Sequence, residues 1–139
     1  MDTAESSIFD YRFCPLPAAW IVLEAVFKGT PAASSDIAKK MAEYKVQRDK
    51  AQPKGVKTAG SFFKNPAGLQ VWKLIDAVGM RGARVGGASV SLKHANFLIN
   101  DKGASAADIE ALGNEIARRV LDKTGVRLEW EVKRLGVKQ

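Results

Sequence analysis

Near the C-terminus, Val126, Leu128, Trp130 and Val132 alternate with Arg127, Glu129, Glu131 and Lys133. Successive side chains on a strand point to opposite faces, so this pattern describes a strand with one apolar and one charged face. Such a strand has to bury the first face and leave the second in water. The chain has 139 residues, which is room for one core of ordinary size. The terminal strand therefore asks for a layer of helices over a sheet rather than a pair of large domains.

The rest of the chain supplies the pieces. Residues 1–19 read as irregular, because Pro15 and Pro17 forbid a helix there. Trp20–Phe27 is rich in β-formers, stops at Gly29 and Pro31, and reads as a buried strand. Ser34 or Ser35 can cap a helix running to about Lys50, with Ile37, Met41 and Tyr44 spaced to bury one face. From Ala51 to Ala67 the periodicity breaks, and a loop of that length in a small domain is usually functional or mobile. A second helix is expected over Leu69–Val78, with Gly79 at its C-terminal cap. Ala95–Asn100 reads as a strand ended by Asp101-Lys102-Gly103. Ser105-Ala106-Ala107-Asp108 resembles a capping box and opens a helix to about Asp122, closed by Gly125. The expected fold class is α+β: a two-layer domain with helices packed on one face of a small mixed sheet.

Composition excludes several classes. With 46% hydrophobic and 27% charged residues, the chain has enough apolar surface to offset its conformational entropy. One cysteine, Cys14, allows no internal disulfide, and one cysteine with one histidine, His94, makes no zinc cluster. No metal is expected. The start is acidic and polar, unlike a signal peptide, and the apolar run Pro15–Phe27 is too short to span a bilayer. A cytoplasmic location is therefore the expectation, with no membrane partner. The net charge of +7 suits an anionic partner without choosing among nucleic acid, an acidic surface and a phosphorylated small molecule.

Three constellations bear on chemistry. Ala59-Gly60-Ser61-Phe62-Phe63-Lys64-Asn65-Pro66 sets a hydroxyl, a cation and an amide among aromatic residues. It is either a loop that places Ser61 and Asn65, or a plain loop anchored by its two Phe side chains. Arg81–Ala88 is glycine-rich and basic: either a nest of N–H groups fit for phosphate, or a tight turn with solvated arginines. Glu129 and Glu131 share a strand face, as a solvated charge ladder or as a site with one partly buried carboxylate. Lys54, Lys57 and Lys64 beside the two Phe residues also imitate a nucleic-acid surface, although the other basic residues scatter along the chain.

Four motifs then occur in order: Gly60-Ser61-Phe62-Phe63-Lys64-Asn65-Pro66, Gly86-Gly87-Ala88-Ser89-Val90-Ser91, His94-Ala95-Asn96-Phe97-Leu98-Ile99-Asn100, and Leu128-Glu129-Trp130-Glu131-Val132. Together they resemble the C-terminal domain of UDP-N-acetylenolpyruvoylglucosamine reductase, also called UDP-N-acetylmuramate dehydrogenase. The resemblance runs from about Phe9 to Gly136. It implies a bacterial, cytoplasmic flavoenzyme of peptidoglycan synthesis, in which NADPH reduces FAD and the flavin passes hydride to UDP-N-acetylglucosamine enolpyruvate.

The same resemblance implies roles. Ser61 matches the serine that protonates the carbon next to the carboxylate. Arg12 matches the arginine that steadies the enolate, and Glu131 the acid near the substrate carboxylate. Lys64, Asn65, Arg81 and His94 fall at substrate-contacting positions, and Tyr11 lies beside the flavin. Residues 1–19 correspond to the junction with an FAD-binding region, and residues 20–139 to the C-terminal substrate-binding domain. The Gly-rich FAD-binding region itself has no counterpart in these residues. The expectation is therefore a domain that needs a separate FAD-binding chain for activity. The alternatives are a stand-alone UDP-sugar-binding module and, from another class, a small basic nucleic-acid-binding protein.

Overall fold

A computed structural model describes residues 9, 13–17 and 19–136. They fall into two compact units, Met1–Ser34 and Ser35–Gln139. The first has no helix or strand before Ser34 among its described residues. The strand expected over Trp20–Phe27 does not form: Ile21 is 83% exposed, and Val26 and Phe27 are each 90% exposed. β-formers favour a pleated, half-buried setting rather than the backbone shape alone, and no described strand pairs with this segment to provide one.

The remaining elements are α1 (Ser34–Ala51), α2 (Val71–Ala77), β1 (Arg84–Val85), β2 (Ala88–Val90), β3 (Leu98–Asn100) and α3 (Ala106–Thr124). Helix α1 starts where the serines place it, but it buries none of its residues. Ile37, Met41 and Tyr44, expected in a core, are about half exposed or more. Helical spacing makes an apolar face; it does not supply the surface that covers it.

The sheet has the order β1-β2-β3 and is antiparallel throughout rather than mixed. Two residues join β1 to β2 and seven join β2 to β3, too few for the crossover that a parallel pair needs. Helix α3 lies across one face of this sheet with α2 beside it, giving the two layers. Phe62, Phe63, Val71, Ile75, Val90, Leu98, Leu112, Ile116 and Val120 form the core between them. The N-terminus of α3 carries the expected box: Ser105 Oγ accepts from Asp108 N–H at 3.1 Å, and the Asp108 carboxylate accepts from Ser105 N–H at 3.0 Å. At Gly113 the helix comes so close to the loop below it that a Cβ would stand 2.8 Å from Phe62 Cζ and 3.1 Å from Trp130 Cζ2.

The alternation at the C-terminus survives as burial, since Leu128 is buried while Arg127 and Glu129 are exposed. It does not become a strand. A single bridge, Phe63 to Trp130, joins it to the Ser61 loop. Pairing stops there because Phe62 gives its N–H to Asn96 instead, and Pro66 has no N–H to give. No helix among the described residues is long and apolar enough to cross a membrane.

Candidate active site

The segment from Gly60 to Asn65 runs between two others, residues 96–98 on one side and 129–131 on the other. Phe62 N–H donates to Asn96 O at 2.8 Å, and Phe62 O accepts from Glu131 N–H at 2.9 Å. Phe63 N–H donates to Asn96 Oδ1 at 3.0 Å, and Asn96 Nδ2 donates back to Phe63 O at 2.8 Å. Lys64 N–H reaches Glu129 O at 2.9 Å. The Phe62 ring stands 4.6 Å from Trp130 and 5.0 Å from Phe63, so the loop is anchored in the core as well as bonded along its edges.

This scaffold holds Ser61, half-buried and paired across a bridge with Phe97. Its hydroxyl makes no hydrogen bond to protein among the described residues, while the backbone that follows is fully engaged. Glu131 is half-buried, with Oε2 shielded from solvent and its own N–H fixed on Phe62. Ser61 and Glu131 thus sit on either side of Phe62, brought together from positions 70 residues apart in the chain. Lys64 forms an ion pair with Glu129. Asn65 Oδ1 accepts from Val71 N–H at 3.1 Å and ties the loop to the start of α2.

Arg81 is gripped by Asp76 and donates to the Leu92 carbonyl. His94 stacks edge-on against Phe97 at 4.9 Å, and Phe97 in turn faces Ser61. Burial, with help from the nearby Arg81 charge, pulls the His94 pKa below its ordinary value. The imidazole is therefore neutral at pH 7. Its Nδ1 accepts from Asn96 N–H at 3.3 Å, which leaves the proton on Nε2. Tyr11 and Arg12 lie outside the described residues.

Of the two readings of Arg81–Ala88, the turn is what forms. Gly86-Gly87 joins β1 to β2, and the Asp108 carboxylate accepts from Gly87 N–H at 3.4 Å. A Cβ on Gly86, which adopts φ +52°, would meet the same carboxylate. A carboxylate occupies the place where a nest would receive a phosphate. Arg84 is likewise ion-paired, to Asp101.

Two residues not singled out in the sequence belong to this region. Asn96 is 4% exposed and bonds the loop on three sides. Its signal was an amide side chain inside the apolar run Ala95–Ile99. Arg48, in the last turn of α1, lines a groove of about 510 Å³ together with Lys54, Thr58, Gly60 and Phe97. That groove reaches Gly60, the neighbour of Ser61, and its lining sets Arg48 and Lys54 together with Asp49, which pairs with Lys54 at 3.0 Å. Among the described residues no cluster of His, Cys, Asp and Glu could hold a metal.

The family profile described as UDP-N-acetylenolpyruvoylglucosamine reductase, C-terminal domain, matches residues 52–135. The chain belongs to this family. The match takes in the Ser61 loop, Arg81, the His94–Asn100 segment and Glu131, while α1 precedes it. A UDP-N-acetylenolpyruvoylglucosamine reductase from Paramagnetospirillum magneticum is 50% identical over 131 residues, covering 94% of this chain and 43% of that protein. One from Sphingopyxis alaskensis is 51% identical over 128 residues, covering 92% and 43%. The crystal structure of the reductase from Thermus caldophilus superposes with a TM-score of 0.59 at 42% identity, covering 73% of this chain and 36% of that one. The chain thus spans about 43% of the length of these curated reductases.

Proposed function

We propose that residues 20–139 are the substrate-binding domain of an enzyme that reduces UDP-N-acetylglucosamine enolpyruvate to UDP-N-acetylmuramate, with residues 1–19 as the junction to an FAD-binding region. In this reading NADPH and FAD supply the hydride. The Gly86-Gly87 turn does not offer FAD a phosphate site, since Asp108 and the backbone of residues 102–104 close it.

What falls to this chain is binding and protonation. Saturating the enolpyruvyl double bond takes a hydride on one carbon and a proton on the other. Hydride addition makes an enolate next to the carboxylate, a base strong enough to take a proton from an alcohol. Ser61 Oγ gives that proton if it is held on the correct face. Arg12 and Glu131 take the carboxylate end, where negative charge gathers. Lys64, Asn65, Arg81 and His94 contact the UDP sugar, and the net charge of +7 favours its diphosphate. Tyr11 meets the flavin that a partner chain brings.

The observation that carries this reading is the setting of Ser61: it is bridged to Phe97, followed by Phe62, whose backbone is bonded to Asn96 on one side and Glu131 on the other, with its own hydroxyl left open. The test is a calorimetric titration of the purified chain with UDP-N-acetylglucosamine enolpyruvate. Saturable one-to-one binding supports the site; a folded chain that gives no heat removes it from this chain alone. NADPH oxidation on mixing with a separately expressed FAD-binding chain tests the redox part of the reading.

A further inference from the structure

Four backbone groups of Phe62 and Phe63 are hydrogen-bonded, and three of them go to one residue. Asn96 O takes Phe62 N–H, Asn96 Oδ1 takes Phe63 N–H, and Asn96 Nδ2 serves Phe63 O; Glu131 N–H takes the fourth. A carboxamide carries the same donor and acceptor as a peptide unit. The side chain therefore acts as an added rung where the chain itself turns away. Asn96 is 4% exposed, so an apolar residue of its size would leave Phe63 N–H and C=O unpaired in a dry place.

The same residue reaches the imidazole. Asn96 N–H donates to His94 Nδ1 at 3.3 Å. That bond selects the tautomer with hydrogen on Nε2, and the ring is steadied by Phe97, the bridge partner of Ser61. We infer that Asn96 is a positioning residue: its side chain fixes residue 96 against Phe63, and residue 96 so fixed holds the Ser61–Phe62 peptide through its carbonyl and the His94 tautomer through its main-chain N–H. The inference does not depend on the proposed role of Ser61.

The chain has a single histidine, so its imidazole nitrogen NMR signals belong to His94 alone. In the wild-type chain, at a pH where the ring is neutral, one tautomer is expected. Asn96→Ala keeps the main-chain N–H but loses the side-chain bonds that hold it in place, so the two tautomers mix. Phe63 amide hydrogen exchange rises about tenfold or more, while Leu112 and Ile116 in α3 change less. Asn96→Asp keeps an acceptor for Phe63 N–H but loses the donor and sets a carboxylate against Phe63 O in a dry place, so exchange at Phe63 rises in it as well. An even rise through the loop and α3 with an unchanged tautomer would make Asn96 a stability residue only and overturn the inference. So would unchanged exchange at Phe63 in both variants. Neither readout uses substrate, so a failure here is distinct from a failed titration with the UDP sugar.

Discussion

The Arg81 guanidinium holds the Asp76 carboxylate through two parallel hydrogen bonds, Nε to Oδ1 at 2.7 Å and Nη2 to Oδ2 at 2.5 Å, and gives a third to Leu92 O. This fork clamps the end of α2 to the segment that leads into His94. A lysine carries the charge but not the planar fork. Arg81→Lys should therefore lower stability by about 1 kcal/mol, the pair being about one-third exposed, as read by urea unfolding. Affinity for the UDP sugar should fall less in Arg81→Lys than in Arg81→Ala. Equal stability of wild type and Arg81→Lys would show that the fork contributes nothing.

Ser61→Ala removes a hydroxyl with no protein partner among the described residues. Unfolding midpoints should stay within about 0.5 kcal/mol of wild type, and UDP-sugar binding should persist. In an enzyme completed by an FAD-binding chain, flavin reduction by NADPH should be normal and reoxidation by substrate slower by about 100-fold or more. Normal reoxidation in that variant removes Ser61 from the proton-donor role.

His94 gives a pH dependence with a definite sign. Its pKa is lowered in the folded chain, chiefly by burial. Between that lowered value and the ordinary one near 6.5, the unfolded chain binds more protons than the folded one, so stability falls as pH falls. Urea midpoints measured from about pH 8 down to about pH 5 should decline in the wild type, and His94→Gln should flatten that part of the curve. A parallel decline in both would assign the effect to carboxylates.

Gly113→Ala tests the close approach of α3 to the aromatic loop. Alanine favours a helix over glycine by about 1 kcal/mol, so an open position would be stabilised. Here the added methyl runs into the Phe62 ring and Trp130, and overpacking should win with a net loss of about 1–2 kcal/mol. A gain in thermal stability would mean that the ring shifts freely.

Val26→Ser with Phe27→Ser probes the apolar segment that pairs with nothing described. Both residues are 90% exposed, so the double variant should unfold within about 0.5 kcal/mol of wild type and remain soluble at higher concentration. A large loss of stability would place these side chains in a core.

What the sequence made legible was whatever is decided locally. The Ser105–Asp108 box and Gly125 bound α3 because capping uses atoms within a few residues of each other. Ala95–Asn100 contains β3 for a similar reason. What failed depends on a distant partner. Among the described residues Trp20–Phe27 has strand composition and no strand beside it, and Ile37, Met41 and Tyr44 make a face that stays about half exposed or more. The site followed the same division. Ser61 and Glu131 are named by the family resemblance and not by any pattern of their own, and the loop between them is held by Asn96, whose side chain imitates a backbone and leaves no periodic trace.

Helix α1 has eighteen residues and buries none of them. Helices of that length in water owe their persistence to local bonding, which in isolated peptides is close to balance with the coil. Its ellipticity would therefore drain away gradually on warming, ahead of the sharp transition of the packed helices. A heating curve would show a sloping shoulder before the cooperative step, and a two-state fit that ignored the shoulder would understate the enthalpy of the domain.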